Sequence, residues 1–462
     1  MKATFRILLA VLPLLSVAPV SVAASSVPDG AAVAEQRFEK EVAACFRERI
    51  ARGRLLSAPS RRFPWRRLSQ ERARVWALWR SALRSSEPLP LMPLSPLAEA
   101  KAGRWMLPDS LEPSAVMPYY FGKKGTSAPA AGYPFFLYLH GSGPKAGEWA
   151  TGLRLCWAFA DAPSVYFIPQ IPREGEYYRW WQRAKQYAWR HLLWQVLASD
   201  SIDPARLYVF GISEGGYGSQ RLAAFYADYW AAAGPMAGGE PLMNAPAENL
   251  AGVPFSLLTG ALDAGFCRSR LTEEVRLRLD SLQQARPGYY EHRVELIPGR
   301  GHAIDYSPTT PWLREFERNA RPPYLVWEDF EMDGRRREGF GCLRPLRRPA
   351  GGADGRTCYE MTLHDNCLDV TVSAVSYETL EADPQWGIPL RQRRALSPAT
   401  GGRLRVYLDE AQVDFRRPLV VRVNGREVFR GRVRPDARHL VESCALFGDP
   451  LRLYAVAVDV TF

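Results

Sequence analysis

The chain has 462 residues, 47% of them hydrophobic and 24% charged, with a formal net charge of +11. This is the balance of a globular protein with room for more than one domain, and it excludes a disordered chain or a chain-long repeat. Only seven of the 60 basic residues are lysine, so the surplus is arginine; it reads as a solvated basic surface, with no nucleic-acid partner expected.

The N-terminus reads as an export leader over residues 1–24. Lys2 and Arg6 precede the apolar run ILLAVLPLLSVAPV, and SVAASS supplies small residues for cleavage. Pro13 and Pro19 and the shortness of the run argue against a spanning helix. No later stretch of 18 apolar residues follows, so the mature chain is expected to be exported, periplasmic or extracellular, without stable membrane insertion. Seven cysteines are present. None forms a C-x-x-C pair or a zinc-like spacing with histidine. Export permits disulfides, and Cys358 and Cys367, the closest pair, are a candidate bridge.

Residues 30–105 look helical. Val75, Leu78, Trp79, Ala82 and Leu83 recur at helical spacing, as on an amphipathic helix packed against the main domain. The proline-rich SSEPLPLMPLSPLAEA reads as a connector. Over residues 106–320 apolar strands alternate with helices. FFLYLHG and SVYFIPQIP are strand-like, WWQRAKQYAWRHLLWQVLAS is helical, and DPARLYVFGIS is a strand running into the helix QRLAAFYADY. WAAAGPMAGG, VPFSLLTGALD and HRVELIPGRGH are three more short apolar runs ending near turns. Such alternation predicts a doubly wound, mainly parallel α/β sheet covered on both faces, with functional residues at the carboxyl ends of its strands. Residues 321–357 read as a linker. Residues 358–462 read as a small all-β, sandwich-like domain, with Asn424-Gly425 as a tight hairpin turn.

Gly211-Ile212-Ser213-Glu214-Gly215 matches G-x-S-x-G. The pattern alone is a weak signal, but here it follows a predicted strand and opens a predicted helix, the setting of a nucleophile elbow. A serine hydroxyl needs a base, and His302, in the glycine-rich turn PGRGH past a strand, is the candidate. The base needs a carboxylate to orient it; Asp263, past the preceding strand, is preferred to Asp305, which lies three residues after His302. The tetrahedral oxyanion needs donors. The backbone N–H of Glu214 is one, and Gly141 or Ser142 in LYLHGSGPK supplies the other. His140 in that loop reads as structural. Trp180 and Trp181 are candidates for stacking against substrate, whereas Tyr187, His191 and Trp194 read as the buried face of their helix.

In these residues the chain resembles an α/β-hydrolase of the esterase and prolyl-oligopeptidase-like group. DPARLYVFGISEGGYG is similar to the nucleophile segment of secreted bacterial esterases of the polyhydroxybutyrate-depolymerase-like and feruloyl-esterase-like kinds. The resemblance covers residues 133–320 and implies a serine hydrolase of esters, less often amides, working without metal or organic cofactor on a small or polymer-linked ester. The chain departs from the prolyl oligopeptidases in having no β-propeller before this segment. It has only a short insertion where a lipase lid would stand, and Glu214 is where many relatives carry a smaller or apolar residue. A serine peptidase or amidase with the same three residues, and a non-catalytic glycan-binding protein on a hydrolase fold, are the alternatives.

Overall fold

Helices α1 (Gly30–Arg52) and α2 (Leu68–Ser86) open the computed structural model, which describes residues 30–350 and 355–462. The leader expected over residues 1–24 lies outside the described residues. Strands β1 (Ser95–Pro96), β2 (Gly103–Met106), β3 (Val116–Lys124) and β4 (Tyr133–Leu139) follow, then α3 (Lys145–Ala158), β5 (Ser164–Pro169), α4 (Arg183–Leu197) and β6 (Ile202–Ile212). Next come α5 (Glu214–Phe225), β7 (Ala232–Met236), β8 (Phe255–Gly260), α6 (Arg268–Ala285), β9 (His292–Ile297) and α7 (Thr309–Leu313).

The strands from β1 to β9 form one sheet in the order β1-β3-β5-β4-β6-β7-β8-β9, with β2 alongside β3. From β5 across to β9 every pairing is parallel, while β3 is antiparallel to β2 and β5. Every residue of β4, β5, β7 and β8 is buried, as continuous apolar runs demand of strands covered on both faces. This is the α/β-hydrolase fold. It begins earlier than expected, because β1 and β2 fall within the segment read as helical.

The rest of the chain comprises β10 (Tyr324–Asp329), β11 (Leu343–Arg347), β12 (Arg356–His364), β13 (Cys367–Ala382), β14 (Pro389–Pro398), β15 (Arg403–Leu408), β16 (Leu419–Val423) and β17 (Arg426–Gly431), followed by α8 (Ala437–Phe447) and β18 (Val456–Thr461). One sheet runs β10-β12-β13-β16-β17 with β14 on β13, and a second runs β11-β15-β18. Asn424 (φ 49°) and Gly425 (φ 77°) make the turn between β16 and β17, the paired positive φ of a primed hairpin turn.

Two expectations are corrected. The segment read as a linker supplies β10 and β11, an edge strand to each C-terminal sheet. The C-terminal β region, present as expected, also carries α8, whose Leu440, Val441 and Cys444 bury against Val42, Phe46 and Ile50 of α1 and Val75 and Trp79 of α2. The N-terminal helices therefore pack chiefly on α8, touching the hydrolase body through Trp194 of α4. Finally, all seven cysteines are buried and unbridged. Cys358 stands opposite Ser373 and Cys367 opposite His364, so the β12–β13 ladder keeps these two thiols at opposite ends of one hairpin.

The C-terminal sheets do not stand apart. One hydrophobic cluster runs from Trp180, Leu192 and Phe225 of the hydrolase body into Trp327, Tyr359 and Val372. No helix among the described residues is long and apolar enough to cross a membrane.

Candidate active site

β6 ends at Ile212 and α5 begins at Glu214, leaving Ser213 alone on the turn with φ 57° and ψ −114°. An L-residue pays roughly 1–3 kcal/mol for such a backbone, which persists only where its surroundings enforce it. Here the Ser213 N–H donates to Met236 O (2.9 Å) and its carbonyl accepts from Tyr217 N–H (3.0 Å). The flanking glycines are there for close approach. A Cβ on Gly211 would sit 2.3 Å from Gly215 O, and one on Gly215 would sit 1.9 Å from Leu139 O. Any side chain at either position would drive the turn off the sheet.

Because β8 and β9 are parallel neighbours, the loops after them emerge at the same end of the sheet as Ser213. Ser213 Oγ lies 3.0 Å from His302 Nε2, and His302 Nδ1 lies 2.7 Å from Asp263 Oδ2. A single tautomer satisfies both contacts: Nδ1–H donates to the carboxylate, and Nε2 accepts from the serine hydroxyl. Asp263 is 4% exposed, and its other oxygen accepts from Arg268 Nη1 at 2.9 Å. Arg268, the first residue of α6, escaped the sequence reading. Asp305 is turned away, its carboxylate exposed and accepting from Ser307 N–H (2.9 Å) within its own turn.

The loop after β4 lies beside this trio, since β4 and β6 are neighbours. Gly141 backs directly onto the serine: a Cβ there would lie 3.4 Å from Ser213 Cβ. His140 is fully buried and accepts from Ile171 N–H at Nε2 (3.0 Å), so its proton is on Nδ1, donated to Gly141 O (2.7 Å). Burial pushes this imidazole down to about 4, which keeps it neutral and makes it a clamp on the loop. Tyr178 O–H donates to Gly141 O (2.8 Å), and Trp180 Nε1–H donates to His140 O (3.0 Å). Trp180 is consequently fully buried. It holds the loop from below and does not reach the open cavity, which corrects the expectation that it contacts substrate.

Ser213 opens into a cavity of about 430 Å³ that Ser142, Glu214, Tyr217 and Trp181 also line. Its far wall, Trp386 to Pro389, comes from the tip of the β13–β14 hairpin. Trp386 rests against Phe266 with ring centres 4.8 Å apart, and Met243 N–H donates to Gln392 Oε1 (3.1 Å), tying the hairpin to the hydrolase body. Neither contact has a local sequence signal. Trp181 lies under the Arg221 guanidinium (4.0 Å), which is itself paired with Glu240 (2.6 Å).

Glu214 is the anomaly of the cavity. Its side chain is 9% exposed and its nearest cation, Arg179 Nη1, is 3.4 Å away. Its Oε1 has no hydrogen-bond partner, and neither has the Tyr217 hydroxyl. Burial pushes the Glu214 carboxyl up to about 8, against the pull of Arg179.

No family model matches the chain, and no curated protein matches it. Among solved structures it is similar to a thermostable esterase, at 19% identity and a TM-score of 0.37 over 48% of this chain and 64% of that one. It is also similar to esterase 2 of the planctomycete Thermogutta terrifontis with propionate bound, at 15% identity and 0.35 over 45% of this chain and 86% of that one. A third likeness is to a putative dipeptidyl aminopeptidase IV from Bacteroides ovatus, at 14% identity and 0.34 over 47% of this chain and 34% of that one. Likenesses this distant leave substrate and mechanism to the geometry of the site.

Proposed function

We propose that the protein is a serine hydrolase that cleaves carboxylic esters through an acyl-enzyme on Ser213. The observation that carries this reading is the hydrogen-bonded series Ser213–His302–Asp263, at 3.0 and 2.7 Å, ending on a serine whose backbone is held at positive φ. In this reading Ser213 Oγ attacks the substrate carbonyl carbon as its proton passes to His302 Nε2. Asp263, steadied by Arg268, fixes the tautomer and stabilises the imidazolium. The backbone N–H of Glu214 and that of Gly141 or Ser142 receive the oxyanion. Collapse expels the alcohol, which takes the proton from His302. Water, giving a proton to the same nitrogen, then releases the acid and frees Ser213.

The cavity supports a substrate with a ring-shaped, hydroxyl-bearing part. Trp181 and Trp386 offer flat apolar faces. One oxygen of the buried Glu214 carboxyl, Oε1, has no partner, and a substrate hydroxyl would satisfy it. Paired with the leader expected over residues 1–24, the reading is of an exported esterase.

The test is intact mass after treatment with a fluorophosphonate, on the wild type and on Ser213→Ala. One adduct on the wild type and none on the variant is the expected result; no adduct on a folded wild type would sink the proposal. Turnover of an aryl ester against the aryl amide of the same acid then separates esterase from amidase.

A further inference from the structure

A second cavity, of about 410 Å³, lies where α1, α4 and the turn after β10 meet, and it shares no lining residue with the cavity at Ser213. Six arginines line it, Arg49, Arg52, Arg190, Arg335, Arg336 and Arg337, against one carboxylate, Glu338. Four of the six are accounted for within the protein. Arg49 pairs with Glu338 (Nη1–Oε1 3.1 Å), Arg52 with Glu48 (3.2 Å) and Arg337 with Asp228 (2.9 Å), while Arg336 donates to Asp329 O (3.1 Å).

Arg190 and Arg335 have no carboxylate partner among the described residues. Arg190 lies over the rings of Trp194 (5.3 Å) and Tyr187 (5.6 Å), and its Nε is buried with no acceptor. Burial, with Arg49 and Arg335 alongside, pulls its guanidinium down to about 10. Beside it Gln186 is fully buried. Its amide is fixed by donation to Trp181 O (2.7 Å) and Met332 O (2.6 Å), which leaves Oε1 with no donor.

Two like charges kept together in a partly enclosed space, with a buried donor and a buried acceptor both unmet, cost free energy unless something completes them. Elsewhere in this arginine-rich chain guanidinium groups are repeatedly matched to carboxylates, so the mismatch is local. We infer that this cavity binds a small oxyanion, a phosphate or sulfate ester that also carries a hydroxyl. The guanidinium forks of Arg190 and Arg335 suit tetrahedral oxyanions, and Gln186 Oε1 accepts from the hydroxyl. Since Arg49 and Arg52 belong to α1, Arg190 to α4 and Arg335 to the turn after β10, the occupant would tie the N-terminal helices to the hydrolase body. The inference does not depend on the chemistry at Ser213.

The test is calorimetric titration of the full chain with inorganic phosphate, inorganic sulfate and glucose 6-phosphate, against sodium chloride at matched ionic strength. Saturable binding of at least one of the oxyanions is expected, with glucose 6-phosphate tighter than inorganic phosphate. Arg335→Gln, whose guanidinium makes no hydrogen bond among the described residues, is expected to fold and to weaken binding at least about tenfold, and Arg190→Gln to abolish it. The ratio of phosphate to sulfate affinity distinguishes the two ester types. No saturable heat beyond that of chloride, or equal binding by wild type and Arg335→Gln, overturns the site and leaves Arg190 as packing for Trp194. Glucose 6-phosphate binding no tighter than phosphate overturns the role of Gln186.

Discussion

Replacing Glu214 with glutamine removes an ionisable group while keeping its shape and backbone N–H. Burial raises this carboxyl from an ordinary 4.5 to about 8. At about 1.4 kcal/mol per pH unit, the ionised form is therefore about 5 kcal/mol costlier in the folded chain than in the unfolded one. Between those two values the folded chain holds a proton that the unfolded chain has released. The contribution of this group to wild-type stability therefore falls as pH climbs from about 4.5 to about 8 and changes no further above that. Glu214→Gln is free of the penalty. Denaturant unfolding of both proteins from pH 4.5 to pH 9 should give equal stabilities at the acid end, then a gap in favour of the variant that widens by about 1.4 kcal/mol per pH unit and levels off above pH 8. All other titrating groups are common to both proteins and cancel in the difference. A gap that is constant with pH, or that favours the wild type at pH 8, would refute the argument that burial of Glu214 outweighs its pairing with Arg179.

Asp263→Asn should preserve the fold and lower kcat on an aryl ester by a factor on the order of 10⁴, because the amide favours the wrong tautomer of His302; the assay is steady-state turnover. Gly215→Ala places a methyl group 1.9 Å from Leu139 O, and should cost about 3 kcal/mol in denaturant unfolding and abolish fluorophosphonate labelling. Trp386→Ala removes a face of the cavity and should raise KM for a sugar ester by roughly tenfold, while KM for a methyl ester of the same acid changes far less.

The elbow, its flanking glycines and the two loops carrying Asp263 and His302 were legible in the sequence for one reason. Each sits at the carboxyl end of a short apolar strand, and a parallel sheet gathers such ends on one edge. Trp180 and Trp181 show where that logic stops. Neighbouring residues at a turn face opposite ways, so one indole is locked under the His140 loop and the other lines the cavity. The hairpin tip at Trp386 was missed because its role depends on a tertiary contact, Met243 to Gln392, that closes a separation of 149 residues; Arg268 lies only five residues from Asp263, but one arginine among many carries no pattern of its own. β10 and β11 hid in the segment read as a linker, since strands this short, broken by GRRREGF, leave no sustained alternation. α8 was missed because it lies among strands and much of its apolar face is matched by the distant α1 and α2.

The tip of the β13–β14 hairpin lines the cavity at Ser213, so under the proposed function the C-terminal sheets share in selecting the substrate. Residues 383–388 are a turn between two strands, the kind of place where a chain tolerates insertion, deletion and exchange without unsettling its core. The elbow, by contrast, admits no methyl group. Under the proposed function, substrate range and reaction are thereby separable: lengthening or shortening one exposed turn would reshape the chamber while the strained serine beneath it stays as it is. A grafting experiment would accordingly move specificity by transplanting that turn alone. Cutting the chain after residue 320 to obtain a minimal enzyme would leave the chamber without its far wall.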